Sequence, residues 1–534
     1  MNIHVSYAPA SLLEAVGSRV DPEQAAVVCG PARRSWGELR ARTGLVAALL
    51  VRHGLAGRNV GMMLHNGPEF LEVFFALSAV GGTPFSVNTR YTRSELAELY
   101  ASLDGAALVY SGDMAATVRE ALPLLPRPPR LLLQVGGTAG AVPGAVLYQE
   151  ELDRPTLEPL APTTYSCSSE DRVISCTGGT TGPAKGVVWR VDDFFVTNCW
   201  GHDLVSDTAE PAAAAVDRAL ADPRRSICPA PMVHIASLAM ALMAIYSGGT
   251  ALVLPTDVPF SAAEYCRLIE DERATDGVFI GDTLGVPIAQ ELDRRPYRLD
   301  SLRLLIAGAA IISPTTKRRI LAHLPWIEIL DSMGSTETGL QAIARATKDG
   351  IGRTYTVLPG NDILDEHGGP VANGERGYLA RTEHCALGYY GDPARSFECF
   401  RQRPEGPFTI TGDLVQMQED GTVLLLGREE TCINTGGEKV FAQEVEQHLL
   451  EHPAVDDALV VGVPSPRWGN EVRALVVWGT AGSEEAAVTA QLRRELAAYK
   501  VPKRLLAVPA IRRSPTGKVD YGWARSVAAT GGGS

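Results

Sequence analysis

Ser175-Cys-Thr-Gly-Gly-Thr-Thr-Gly-Pro-Ala-Lys185-Gly-Val-Val-Trp189 follows directly on the strand-like run Asp171-Arg-Val-Ile-Ser175. Gly178, Gly179 and Gly182 permit backbone conformations that aim N–H groups at a single point. Thr177, Thr180 and Thr181 add hydroxyl donors, and Lys185 adds a point charge. Donors of this kind suit the phosphate oxygens of a nucleotide. Gly186 stands after the lysine, where a Walker A loop needs Ser or Thr, so that motif is excluded. Glycines alone would describe a surface turn equally well. The hydroxyls and the lysine turn the reading toward phosphate.

Outward from this loop, short apolar runs alternate with helical patterns. Val60–Asn66 (VGMMLHN) precedes the helix-like Pro68-Glu-Phe-Leu-Glu-Val-Phe-Phe-Ala-Leu-Ser-Ala-Val-Gly81. ALVY (107–110), RLLLQV (130–135), TALVLP (250–255), GVFI (277–280) and LRLLIAG (302–308) repeat the theme. Strand-length runs ending at Gly or Pro and separated by helices predict βαβ units, hence an α/β fold with mostly parallel sheets. Ile235 to Leu254 is strongly apolar but broken by Tyr246 to Thr250. It predicts a buried helix turning into a strand rather than a membrane span, which needs about 20 unbroken apolar residues. The end, AATGGGS (528–534), reads as a flexible tail.

The chain has 534 residues, 45% hydrophobic and 21% charged, enough to close more than one core and too apolar for disorder. A net charge of −13 argues against nucleic-acid and anionic-membrane partners. That charge is unevenly held. Residues 431–534 carry 12 basic against 11 acidic side chains, leaving −14 for the first 430, and Lys500 to Lys518 contains six cations and no acid. The nine cysteines are scattered and never in CxxC spacing, so neither a disulfide framework nor a zinc ribbon is expected. With no basic-then-apolar leader at the N-terminus, the expected location is the cytoplasm.

The segment TGGTTGPAKG resembles the signature loop of the acyl-adenylate-forming superfamily, with Ala184 where proline is usual. Other elements resemble that family in its order. Pro231-Met-Val-His234 resembles the element whose histidine guards the acyl site, and Leu305-Ile-Ala-Gly308-Ala309-Ala310 the strand end bordering acyl pocket and adenine. Asp331-Ser-Met333-Gly334-Ser-Thr336-Glu337 resembles N-x-[YFW]-G-x-T-E, with Met333 in the aromatic position. Thr411-Gly-Asp413 and Gly427-Arg428-Glu-Glu430 resemble the two ribose-binding motifs, the second ending at the domain hinge. Cys432-Ile-Asn-Thr-Gly436-Gly437-Glu-Lys-Val-Phe441 resembles the pantetheine-tunnel loop, and Ser514-Pro-Thr-Gly-Lys518 the C-terminal lysine element, one residue shorter. Alone, His234 would read as a core histidine and Asp413 as a turn residue. Their place in this sequence of motifs changes both readings.

The resemblance is closest to actinobacterial fatty-acyl and steroid-side-chain CoA synthetases, on Gly82–Tyr91, Trp189, Ile433–Phe441 and Val461–Gly469. It implies ATP, Mg²⁺ and coenzyme A, with a small-molecule carboxylic acid as substrate, and it leaves room for a homodimer. Thr336 would contact the α-phosphate, Glu337 hold Mg²⁺, Asp331 and Met333 border adenine, and Lys518 bridge the acid and α-phosphate. It also implies an adenylation domain over 1–429, a small mobile α+β domain over 430–530 turning at Glu430, and a tail at 531–534. The basic stretch 500–518, with Arg467, would face the phosphates of coenzyme A. A second outcome keeps the adenylation and changes the acceptor, giving an amide, a carrier thioester or a nitrite-derived diazo group.

Overall fold

The computed structural model describes residues 6–177, 184–199, 212–310, 312–428, 431–435, 438–465, 467–479, 484–513 and 519–531. Every apolar run singled out above is a strand: Asn59–Met63, Ala107–Ser111, Leu131–Val135, Thr250–Val253, Asp276–Ile280 and Leu304–Gly308. Pro68–Ala79 is a helix with proline in its first turn, where the missing N–H costs nothing. The apolar stretch after His234 is a buried helix, Ile235–Tyr246, and then the strand Thr250–Val253.

These strands fall into two large sheets. In the first, Ala25–Cys29, Thr250–Val253, Arg225–Cys228, Asp276–Ile280, Leu304–Gly308 and Glu328–Ser335 run parallel, and Gly339–Thr347 pairs antiparallel beside the last of them. In the second, Thr83–Ser86, Asn59–Met63, Ala107–Ser111, Leu131–Val135 and Ala145–Leu147 are parallel. Helices Trp36–Arg52, Pro68–Ala79 and Ile235–Tyr246 join strands of both sheets in one apolar core around Trp36, Phe75, Trp189 and Tyr246. Each large side chain taken fully out of water there contributes about 1.5–3 kcal/mol.

Two regions depart from the βαβ pattern. Arg172–Thr177 pairs antiparallel with Lys185–Arg190, the two strands that stand on either side of the glycine- and threonine-rich segment in the sequence. Residues 361–428 form a small antiparallel sheet with strands Asn361–Leu364, Arg376–Arg381, Gly406–Met417, Phe400–Arg403 and Val423–Arg428.

The chain after Thr431 makes a smaller domain with its own sheet, Cys432–Thr435, Glu438–Phe441, Val455–Ser465, Gly469–Trp478 and Leu505–Ala507. Along Val455–Ser465 successive side chains alternate between two cores. Ala458 and Val460 meet helices Ala442–Leu450 and Glu485–Glu495, while Leu459 and Val461 meet helix Tyr521–Thr530. This last helix corrects the reading of the tail. Ala528 is fully buried and its carbonyl accepts from Arg473, so order extends to Thr530, and Gly531 ends the helix in the left-handed region.

Candidate active site

The parallel register of the first sheet aligns Ile280 with Gly308 and Ala307 with Asp331, so two strands end on one line while Glu328–Ser335 continues past it. In open α/β sheets the crevice beyond the carboxyl ends of the strands is where ligands bind. Here it is a cleft of about 2800 Å³. Among the sequence-predicted residues, Thr177, Lys185, His234, Gly308, Ala309, Asp331, Met333, Gly334, Thr336, Glu337 and Asp413 all line it. Residues separated by more than two hundred positions are thereby brought together.

Thr177 and Lys185 are cross-strand partners, and both line the cleft. The turn carrying Thr336 and Glu337 is held from inside. Trp189 donates its indole N–H to the Thr336 carbonyl at 3.0 Å, and the Ser335 hydroxyl accepts from the amides of Glu337 and Thr338, each at 3.2 Å. Gly334 is required by close approach, since a Cβ there would lie 2.1 Å from the Gly339 carbonyl oxygen. Glu337 Oε1 accepts from the Tyr389 hydroxyl at 3.0 Å, and the face of that ring carries the Lys185 ammonium at 4.7 Å. Burial, then the Glu337 charge, hold the Tyr389 hydroxyl far above the ordinary phenol range, so it stays a donor.

These residues fit a magnesium site. Glu337 Oε2 has no hydrogen-bond partner among the described residues. An oxygen ligand of this kind is what Mg²⁺ takes when it is held by one or two carboxylates and substrate phosphates.

Elsewhere in the cleft lining, Asp331 pairs at 2.7 Å with Lys317, a lysine only 4% exposed on helix Pro314–His323. Burial, then the nearby Asp331 charge, hold the Tyr355 hydroxyl well above the ordinary phenol range. Met333 packs against Tyr355 in the same apolar cluster, and both line the cleft. An aromatic ring therefore stands beside the thioether even though position 333 lacks one. Asp413 accepts from Thr411 at 3.1 Å and lies opposite Arg428 in the ladder, so the two ribose motifs are neighbours. Ala309 takes φ +62° where the strand turns into the cleft, a costly conformation for a residue with a side chain.

Part of the lining is apolar. His234 stands at the N-cap position of helix Ile235–Tyr246, and Ala239, Met240 and Met243 on that helix line the cleft together with Val278, Ile306 and Leu340. Asn66 fixes the segment leading to His234: its amide donates to the carbonyls of Ala230 and Leu254 and accepts from the Met232 N–H at 2.7 Å.

Gly178, Gly179, Thr180, Thr181, Gly182, Glu430, Gly436, Gly437 and Lys518 lie outside the described residues. Their neighbours do not. Arg512, Arg513, Val519 and Asp520, on either side of 514–518, line the cleft, whereas Glu438 and Lys439, beside 436–437, are exposed and do not. The small domain meets the body through an Arg353–Glu451 ion pair at 3.0 Å and through Asp282, Asp457, Glu446 and Arg513. Burial pushes Asp282 up to about 6 and Glu446 up to about 7.

Tyr389, Lys317 and Tyr355 are absent from the sequence reading. Gly388-Tyr-Tyr-Gly-Asp-Pro393 is a visible punctuation of glycine and tyrosine, but nothing in its spacing points to Glu337, 52 positions away.

Known proteins resemble this chain over nearly its whole length. Residues 15–390 match the AMP-binding enzyme family and residues 444–518 the AMP-binding enzyme C-terminal domain. The medium-chain acyl-CoA ligase Mig of Mycobacterium avium is 35% identical over 537 residues, spanning 96% of each chain. A medium/long-chain-fatty-acid and 3-oxocholest-4-en-26-oate CoA ligase of Mycolicibacterium smegmatis is 34% identical, over 95% of this chain and 94% of its own. The amide bond synthetase McbA of Marinactinospora thermotolerans superposes with a TM-score of 0.78 at 25% identity, over 97% and 99% of the two chains. With its motifs gathered on one cleft and both family matches in place, the chain belongs to the AMP-binding enzyme family.

Proposed function

We propose that the protein is an AMP-forming acid–thiol ligase that converts an apolar carboxylic acid to its acyl-coenzyme A thioester. The observation that carries this reading is one cleft whose lining includes both Lys185, Thr336 and Glu337 and the apolar Met240, Met243, Val278 and Ile306. A carboxylate oxygen attacks the α-phosphorus of ATP, the bond to pyrophosphate breaks, and acyl-AMP remains. Lys185, with the donors of the 177–182 segment, holds the leaving pyrophosphate, while Asp413 and Arg428 hold the ribose. Glu337 would hold Mg²⁺, which when bound neutralises triphosphate charge. Lys518 stabilises charge growing on the α-phosphate, an effect larger in the transition state than in the ground state.

Residues flanking Lys518 face the cleft and residues flanking Gly436 and Gly437 do not, which supports an adenylation-ready arrangement. In the second step the 430–530 domain turns about Glu430, the coenzyme A thiolate attacks the acyl carbonyl and AMP leaves. Lys518→Ala should abolish pyrophosphate exchange and leave thioester formation from supplied acyl-AMP largely intact. Glu430→Pro should do the reverse. Equal loss of both half-reactions in either variant refutes its assignment. Nine free cysteines accord with a reducing cytoplasm.

A second reading keeps the adenylation and ends in an amide, favoured by the full-length likeness to an amide bond synthetase. Incubating acid and ATP with coenzyme A or with an amine, and identifying the product, separates the two.

A further inference from the structure

Lys185 and Glu337 carry opposite charges, approach the same side chain, and yet form no ion pair with each other. What stands between them is Tyr389. The strand Gly388–Tyr389 pairs antiparallel with Lys185–Arg190, with Tyr389 opposite Val187. Lys185 is therefore the diagonal neighbour of Tyr389 on the same face, within reach of an aromatic ring. The ammonium lies 4.7 Å from the ring centroid, and the hydroxyl reaches past it to Glu337 Oε1 at 3.0 Å.

The ring has little freedom to leave. Tyr389 is 8% exposed, Phe400 meets it edge-on at 5.2 Å, and its backbone N–H donates to the Ser396 hydroxyl at 2.9 Å. Ser396 is in turn fixed by the Asp392 carbonyl at 2.6 Å, and Gly388 sits at φ +131°.

We infer that Tyr389 is a positioning residue that separates Lys185 from Glu337, so that the lysine stays available to phosphate and the carboxylate to metal. This rests on the adenylation reading. Two opposite charges at close range would otherwise pair, and both phosphate and metal would have to break that pair on entry. The ring satisfies the lysine through its quadrupole and the hydroxyl satisfies one carboxylate oxygen, and neither contact cancels a formal charge.

The two halves of the side chain can be removed separately. Tyr389→Phe keeps the ring and loses the hydroxyl; Tyr389→Leu loses both. ATP binding to the full chain is measured by calorimetry in Mg²⁺ and in excess EDTA, with melting temperature recorded for each variant. Tyr389→Phe should weaken binding about tenfold in Mg²⁺ and leave binding in EDTA unchanged. Tyr389→Leu should weaken binding about tenfold in both. Adding Glu337→Gln to Tyr389→Leu should restore the EDTA value, because the competing carboxylate is gone. The inference fails if both variants bind as wild type does, or if both lose affinity in parallel with their melting temperatures and the second substitution restores nothing. A wild-type chain that binds no ATP in Mg²⁺ refutes the adenylation reading, and the inference with it.

Discussion

The polar and apolar parts of the cleft lining are built on opposite principles. Around Thr336, Glu337 and Lys185 the polar groups have named partners: Trp189 on the Thr336 carbonyl, Ser335 on the Glu337 amide, Tyr389 on Glu337 Oε1 and Lys185. In the apolar part the lining is alanine and methionine of one helix together with valine, isoleucine and leucine. Thioethers are unbranched and adapt to the shape of what they meet. On the proposed function, the difference teaches that fixed geometry would go to the atoms that react, and the substrate tail would be left to a surface that can repack.

The most severe way to break that contrast is in the polar part. Lys185→Ala should lower ATP–pyrophosphate exchange by about 10²–10³, the usual cost of losing one well-aimed charge. The dissociation constant of the acid should stay within about twofold. A smaller effect is expected from Met243→Phe in the apolar part. The ratio of kcat/KM for long against short acids should fall by about 10–200-fold, the range for a methylene or two in an apolar pocket. The KM for ATP should not move, and a raised ATP KM would mean that the two parts are coupled.

Lys317→Met tests whether the bracing extends to adenine. It leaves Asp331 charged and half-buried without its ammonium, which should raise the KM for ATP roughly tenfold and cost about 3 kcal/mol of stability in denaturant titration. The smallest effect concerns the seam with the C-terminal domain. Glu446 is raised to about 7 by burial, with Asp457 also raising it, Arg513 lowering it and the Val460 N–H bonded to it. A carboxyl whose folded value lies above its unfolded one contributes stability that is complete below about pH 4.5 and lost as pH rises through 7. Glu446→Gln should flatten that loss, worth up to about 3 kcal/mol, between pH 5 and 8.

The strands of both large sheets are legible because parallel strands covered on both faces read as unbroken apolar runs bounded by Gly or Pro, as in LRLLIAG and TALVLP. The antiparallel pair on either side of the 178–183 segment is less legible. Its second strand, Lys185–Arg190, offers only Gly-Val-Val-Trp before a charge, and nothing in it announces antiparallel pairing. The tail is misread because Ala528 takes its meaning from the apolar face of the sheet it packs on, not from the glycines after it.

The proposed phosphate-binding chemistry is local in the sequence: glycine, threonine and lysine in one short segment, and Thr336 with Glu337 in another, suggest the donors and the metal ligand that the proposal assigns. Even the division of charge, near neutral after residue 430 and −14 before it, could be counted without coordinates. What only the tertiary structure decided is who stands beside whom. Tyr389 beside Glu337, Lys317 under Asp331 and Tyr355 against Met333 are pairs made by strand register and packing. Side chains on different strands meet according to how those strands align, and one chain read in order carries no record of that alignment.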